Sequence, residues 1–411
     1  MKMLEKARIY GVHAYLFMFF FILFFRHKNI DMVRVPFLAL IIWQIFRKKL
    51  SFKFLVDPVS VSIFSFVLTA AISNAINGIP QDEIVKIMNW LFPYYLGKYV
   101  IRRFPEIRLD SILPCLLACA TAFSVIGLLG YLLGWETLFG RELFKGGRYL
   151  FTISGTNRAG FYLGISLVLG TYFIVRQKIS LDSRYLLAVF CWVTIFSALF
   201  LIKERKTILT VMVMVAVLLL VYKQYKMVLI GVIAMGLVLA VIPIPPRYHP
   251  REMMLNDSML IRLNTWESAI GLFREKPVFG HGYPSFKKAC IRYNEAHQDQ
   301  LRFKQIESVS MAHNLSLNAL AETGFLGFLA LNAVFFNARR FYRYRQSDPS
   351  LFILGMTICF VYVTMQFSNF VHSPARTDLA FLVVGLYLSF ERRHLSTVVS
   401  GSIGADGQTD D

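Results

Sequence analysis

Residues 185–222 read YLLAVFCWVTIFSALFLIKERKTILTVMVMVAVLLLVY. Two apolar runs, 185–202 and 207–222, meet at one charged turn, Lys203-Glu204-Arg205-Lys206. A helix that crosses a bilayer needs about 20 apolar residues. The segment therefore reads as two antiparallel spans joined at a membrane surface.

Working outward, runs of the same kind recur near 8–25, 32–46, 58–76, 84–101, 111–134, 152–175, 227–244, 312–337, 350–367 and 376–391, which makes twelve candidate spans. The second is short and carries Arg34. The fourth holds Lys86 and Pro93. Composition agrees. Of 411 residues, 56% are hydrophobic and 17% charged, where a soluble domain carries about 25% charge. Thirty-eight Phe against 25 acids do not suit a water-covered surface. A disordered chain, a collagen-like chain and a disulfide scaffold are excluded. Continuous apolar runs disfavour an outer-membrane barrel, whose strands alternate. The expected fold is an all-α polytopic membrane protein, with about twelve transmembrane helices and one large helical loop on the outer face.

The net charge of +19 reports topology and not a nucleic-acid partner. Basic residues fill the loops after even-numbered spans: Arg47 to Lys53, Lys98 to Arg108, Arg176 to Arg184, Lys223 and Lys226, and Arg339 to Arg345. Lys and Arg gather on the cytoplasmic side, so both termini are expected inside. The chain then divides into spans one to nine (1–244), an outer loop (245–311), spans ten to twelve (312–393) and a Gly-, Ser- and Asp-rich tail (394–411) expected to be disordered. The five Cys form no framework and no metal spacing.

The outer loop is too long for a plain connection. Met259, Leu260, Leu263, Trp266, Ile270 and Phe273 recur at helical spacing. Ser258 stands as the N-cap and Pro277 as the stop. A Gly-punctuated turn, VFGHGYPSF, follows, and then a polar helix over roughly 285–305.

Several basic residues stand where orientation does not call for them: Lys203, Arg205, Lys206, Arg262, Arg376, Arg141, Lys145 and Arg148, with Arg158 about a turn into the sixth span. Charge at the membrane boundary is costly and tends to be functional. Cations gathered on one face point to an anionic ligand such as a diphosphate, which Arg grips with a planar fork. Anchoring to anionic lipid head groups is the competing reading. The tenth span opens MAHNLSLNALAETGFLGFLAL, with His313 and Asn314 at the boundary and Gly324 and Gly327 further along. The two glycines are expected to share a face and permit close helix packing. A histidine beside cations is a fair general base.

His313-Asn314, nine residues, then Gly324-x-x-Gly327 resembles the signature of bacterial O-antigen ligases, whose wider family includes O-antigen polymerases and oligosaccharyltransferases. The Arg205 turn, Arg262 followed by Trp266, and the turn with Pro277, Gly280 and Gly282 resemble further features of that family. So do twelve spans with a dominant outer loop between the ninth and tenth. The likeness covers about residues 150–390. Two departures stand out: the Lys and Glu that flank Arg205, and Ser368-Asn369-Phe370, which has no acid where ligases can carry one.

The resemblance implies transfer of polysaccharide from undecaprenyl diphosphate to a sugar hydroxyl of lipid A–core, without a metal or other cofactor and with inversion. It implies His313 as the base and Arg205, Arg262 and Arg376 as diphosphate ligands. Asn314, Trp266, Gly324, Gly327, Lys206 and Arg158 would support them. Trp266 and Tyr283 are placed to stack on sugars or to pack the loop. The implied location is a bacterial inner membrane, with the site facing the periplasm. Polymerisation of repeat units, transfer to protein, or transport of lipid-linked sugars are the alternatives. No internal repeat supports a transporter.

Overall fold

The computed structural model describes residues 2–25, 30–138, 141–145, 148–149, 156–176, 183–202, 204–226, 229, 257–297, 299–300, 311–367 and 377–405. Its helices are α1 (Lys2–Phe25), α2 (Asp31–Phe46), α3 (Pro58–Asn77), α4 (Val85–Met88), α5 (Leu91–Arg103), α6 (Leu109–Leu132), α7 (Thr156–Arg176), α8 (Ser183–Ile202), α9 (Arg205–Val221), α10 (Asp257–Glu275), α11 (Phe286–Ala296), α12 (Leu315–Phe336), α13 (Pro349–Gln366) and α14 (Asp378–Ala405). Two-residue ladders pair Thr137–Leu138 with Arg141–Glu142 and Phe144–Lys145 with Arg148–Tyr149. The fold is all-α and multi-pass. Helices stand at every expected span except the ninth, 227–244, nearly all of which lies outside the described residues. Among the described residues, seven helical stretches are long and apolar enough to cross a membrane, including Pro58–Asn77, Leu315–Tyr344 and Pro349–Gln366.

Helix α3 shows the membrane logic. Val61, Phe64, Leu68, Ile72 and Ile76 are exposed at helical spacing. Val59, Ile63, Phe66, Ala70, Ser73 and Asn74 are buried. Hydrocarbon tolerates the apolar stripe, and polar groups turn inward to find partners. Asp57 and Ser60 form a capping box, Pro58 occupies the first turn, and Gly78 closes the helix in the left-handed region. Helix α7 runs through the middle of the bundle, packed by α6, α8, α9 and α13, while α12 packs on α3 and α10.

Three expectations change. The fourth span is two pieces, α4 and α5, broken at Asn89–Trp90. Pro93 sits in the first turn of α5, where its missing N–H costs nothing. Lys98 is not a solvated topology marker. Its ammonium pairs with Asp57 and donates to Phe54 O, 4.6 Å from the Phe54 ring centroid. A charge so buried needs such a partner. The tail is helical through Ala405: no Pro or Gly intervenes before Gly401, and the Ser396 and Thr397 hydroxyls donate to Arg393 O. Residues 406–411 lie outside the described residues. In the second span, Arg34 reaches Asn89 Oδ1 at 2.8 Å and Asp31 at 3.2 Å, while its Nε is buried without a partner among the described residues.

Candidate active site

Two glycines on α7 set the cationic side. A Cβ at Gly160 would lie 3.0 Å from Cβ and Cγ of Glu204, and one at Gly164 would overlap Phe360 and press on Thr207. Their absence lets the first turn of α9 and the second half of α13 close on α7. Glu204, 5% exposed, precedes α9 and pairs with Lys206 at 2.9 Å. Arg262 lies half-buried on α10. Burial pushes its guanidinium pKa down, while the Glu204 carboxylate acts the other way. The carboxylate acting on Arg262 thus comes from the α8–α9 turn. Arg205, at the first position of α9, is exposed. Arg158 lies two residues before Gly160, and its Nε is buried without a hydrogen-bond partner among the described residues. Lys203 and Arg376 lie outside the described residues, as does Ser368-Asn369-Phe370. Arg141, Lys145 and Arg148 are described in the ladders by backbone alone.

One turn along α10, about 5.4 Å, Trp266 donates from Nε1 to Ala312 O at 2.9 Å. The ring is therefore held by the backbone before His313, one helical turn from Arg262. The Ala312 N–H donates to Asn318 Oδ1 at 3.1 Å. His313 follows at φ +51°, in the left-handed region. Asn314 is the N-cap of α12, its Oδ1 accepting from Leu317 N at 2.9 Å. The structure thus gathers Arg205, Lys206, Arg262, Trp266, His313 and Asn314 at one end of the bundle.

The glycine pair differs from the expectation. Gly324 (φ +66°, ψ −165°) breaks α12 and shares no regular helix face with Gly327. A Cβ at Gly324 would overlap Val278 O, and one at Gly327 would overlap Thr323 of the same helix. The break receives the turn after α10. Phe325 N donates to Pro277 O at 2.8 Å, His281 N to Ala321 O at 3.0 Å and Gly282 N to Glu322 O at 2.8 Å. Gly280 (φ +65°) approaches so closely that a Cβ there would sit 2.7 Å from Gly324 N. Gly324 serves a backbone-to-backbone seam, whereas Gly327 makes room for the Thr323 side chain.

The seam rests on α3. Ser73 Oγ donates to Glu322 O at 3.0 Å, and Asn77 Nδ2 donates to Gly280 O at 3.1 Å. Asn74 donates to Tyr283 O and accepts from Tyr283 N, both at 2.6 Å. Tyr283, 1% exposed, is packed into the core and does not stack on a sugar. Glu322 is equally buried; its Oε1 accepts from Phe286 N at 2.9 Å and its Oε2 from Asn318 Nδ2 at 2.6 Å. His281 Nε2 lies 3.0 Å from Leu272 O. Burial, above all, holds its pKa below the usual histidine range, with Lys276 and Arg292 adding to the effect and Glu275 opposing it. Ser73, Asn74, Asn77, Asn318 and Glu204 were not singled out as site residues. A faint signal existed: Ser73, Asn74 and Asn77 crowd one end of a span. Among the described residues, no three His, Cys, Asp or Glu gather to hold a metal.

Two comparisons bear on this site. An uncharacterized protein of Haemophilus influenzae is 24% identical over 364 residues, covering 80% of this chain and 83% of its own. Residues 190–331 match the family described as O-Antigen ligase. That stretch holds the α8–α9 turn, both loop helices, the glycine seam and His313. Over residues 190–331, then, this chain is similar to the O-antigen ligase family.

Proposed function

We propose that the chain is an O-antigen ligase of a bacterial inner membrane, acting at the periplasmic face with both termini in the cytoplasm. One observation carries the reading. A single turn of α10 holds Arg262, under the charge of the α8–α9 turn, and Trp266, which is bonded to the residue before His313. That arrangement supports a reading in which cations stand near a histidine, as displacement of a diphosphate by a hydroxyl requires.

In this reading His313 takes the proton of an acceptor hydroxyl on lipid A–core. The oxygen attacks the anomeric carbon of a polysaccharide carried on undecaprenyl diphosphate. The new glycosidic bond forms as the bond to the diphosphate oxygen breaks, on opposite faces, with inversion. The diphosphate leaves as an anion, and Arg205 and Arg262, with Arg158, Lys206 and Arg376, stabilise its developing charge. The buried Nε of Arg158, without a partner among the described residues, supports that assignment. Ligation is preferred over repeat-unit polymerisation because the loop at 135–150 is modest beside 245–311.

The test is the lipopolysaccharide of a deletion strain, complemented with wild type or with His313→Ala. Core-only bands with polymer left on the lipid carrier are expected from both the deletion and the variant, a loss of about 10²–10⁴-fold. Core bearing a single repeat unit would mean a polymerase, and an unchanged ladder would remove both readings. Transfer by the purified protein is expected to survive EDTA. A loss reversed by added divalent metal would overturn the metal-free scheme.

A further inference from the structure

We infer that Glu322 is a positioning residue for His313, acting through Asn318; the inference rests on the proposed role of His313 as base. Glu322 and His313 are too far apart in sequence to be neighbours on one regular helix, but a relay connects them. Glu322 Oε1 accepts from Phe286 N, the first residue of α11. The positive end of that eleven-residue helix favours the carboxylate there. Oε2 accepts from Asn318 Nδ2.

A carboxylate only accepts, whereas an amide has a donor end and an acceptor end. Glu322 therefore dictates which way Asn318 points. Its Nδ2 faces the carboxylate, and its Oδ1 is left to accept from Ala312 N. Trp266 Nε1 holds Ala312 O from the other side. With both backbone groups of Ala312 held, the next residue adopts φ +51°. That conformation is costly and persists only where its surroundings impose it. Glu322 is thus the far end of the device that aims the imidazole. Through its backbone oxygen it also joins the turn after α10 and Ser73 of α3.

The experiment uses the full chain in lipid nanodiscs, with undecaprenyl-diphosphate-linked polysaccharide as donor and lipid A–core as acceptor. Glu322→Gln sets an amide NH₂ against the NH₂ of Asn318 and is expected to turn the latter over. The predicted result is a kcat loss of about 100-fold with KM for the donor little changed. Asn318→Asp combined with Glu322→Gln reverses the polarity of the bond while leaving an oxygen for Ala312 N. It is expected to recover most of the loss. Wild-type kcat in Glu322→Gln overturns the inference, as does a folded double variant no better than the single one. Where Glu322→Gln does not fold, Asn318→Ala carries the test: lost kcat at unchanged KM supports the relay, and wild-type kcat overturns it. Full activity in a parallel His313→Ala sample would instead sink the general-base reading. Activity that needs His313 but ignores Glu322→Gln would sink this inference alone.

Discussion

The histidine side and the arginine side of the site are built differently. Around His313, Ala312 is held at both its N–H and its C=O, Asn314 caps a helix, and a seam of backbone hydrogen bonds joins the loop to α12. Around the arginines, Glu204 supplies the buried negative charge that pairs with Lys206 and acts on Arg262. Arg205 stands exposed, and the Nε of Arg158 is buried with no partner among the described residues. A base must be aimed before its substrate arrives, because small errors in orientation cost rate steeply. On the proposed function, the cations grip a leaving diphosphate through paired, charge-assisted hydrogen bonds.

The comparison can be broken most severely at the seam. Gly324→Ala would put a side chain at φ +66° against Val278 O. At φ +66°, ψ −165° the backbone lies in a region essentially only glycine occupies, a strain of about 1–3 kcal/mol, and the overlap adds to it. The expected result is a markedly lower yield of folded protein in detergent, read by size exclusion. A variant with wild-type yield and melting temperature would show that the seam tolerates a side chain.

The arginine side should fail in rate and leave folding alone. Arg262→Ala is expected to lower transfer by about 10²–10³-fold, and Arg262→Lys to restore little, since a point charge lacks the planar fork. Full rescue by Lys would reduce the residue to a simple charge. Trp266→Phe should have a smaller effect. It removes one hydrogen bond, worth about 0.5–1.5 kcal/mol, and should lower kcat by roughly tenfold or less with donor affinity intact. Altered donor affinity with unchanged kcat would move Trp266 to the substrate.

The mildest effect concerns pH. His281 faces Leu272 O and Glu275, with Lys276 and Arg292 nearby. Its folded pKa is depressed, so below about pH 6.5 the unfolded chain binds more protons than the folded one. Stability from this group is complete above that pH and is lost as pH falls toward the folded value. Acidification should loosen the turn after α10, seen as faster amide exchange at 277–282, and His281→Asn should flatten that dependence. Equal exchange in both proteins at every pH would remove the role.

Much of this was legible in the chain. Hydropathy placed the helices because lipid demands long apolar runs, and the loop helix announced itself by periodicity and ended where Pro277 was expected to stop it. Trp266 was legible as a position but not as a role: nothing local says that its indole N–H reaches a carbonyl 46 residues away. Lys98 misled for a related reason. A lysine at a span's end looks the same whether it meets water or Asp57.

The sequence by itself determined an all-α membrane chain, a cationic turn between two spans and the His313–Gly327 string. These are local properties, set by hydropathy, capping and spacing along one segment. Only the tertiary structure decided that Gly324 is a break receiving another backbone, that Tyr283 is clamped by Asn74 from 209 residues away, and that the Glu204 charge acts on Arg262. Periodicity states which residues share a face of one helix. Which faces then meet depends on packing between distant segments, and on where each buried polar group finds its partner.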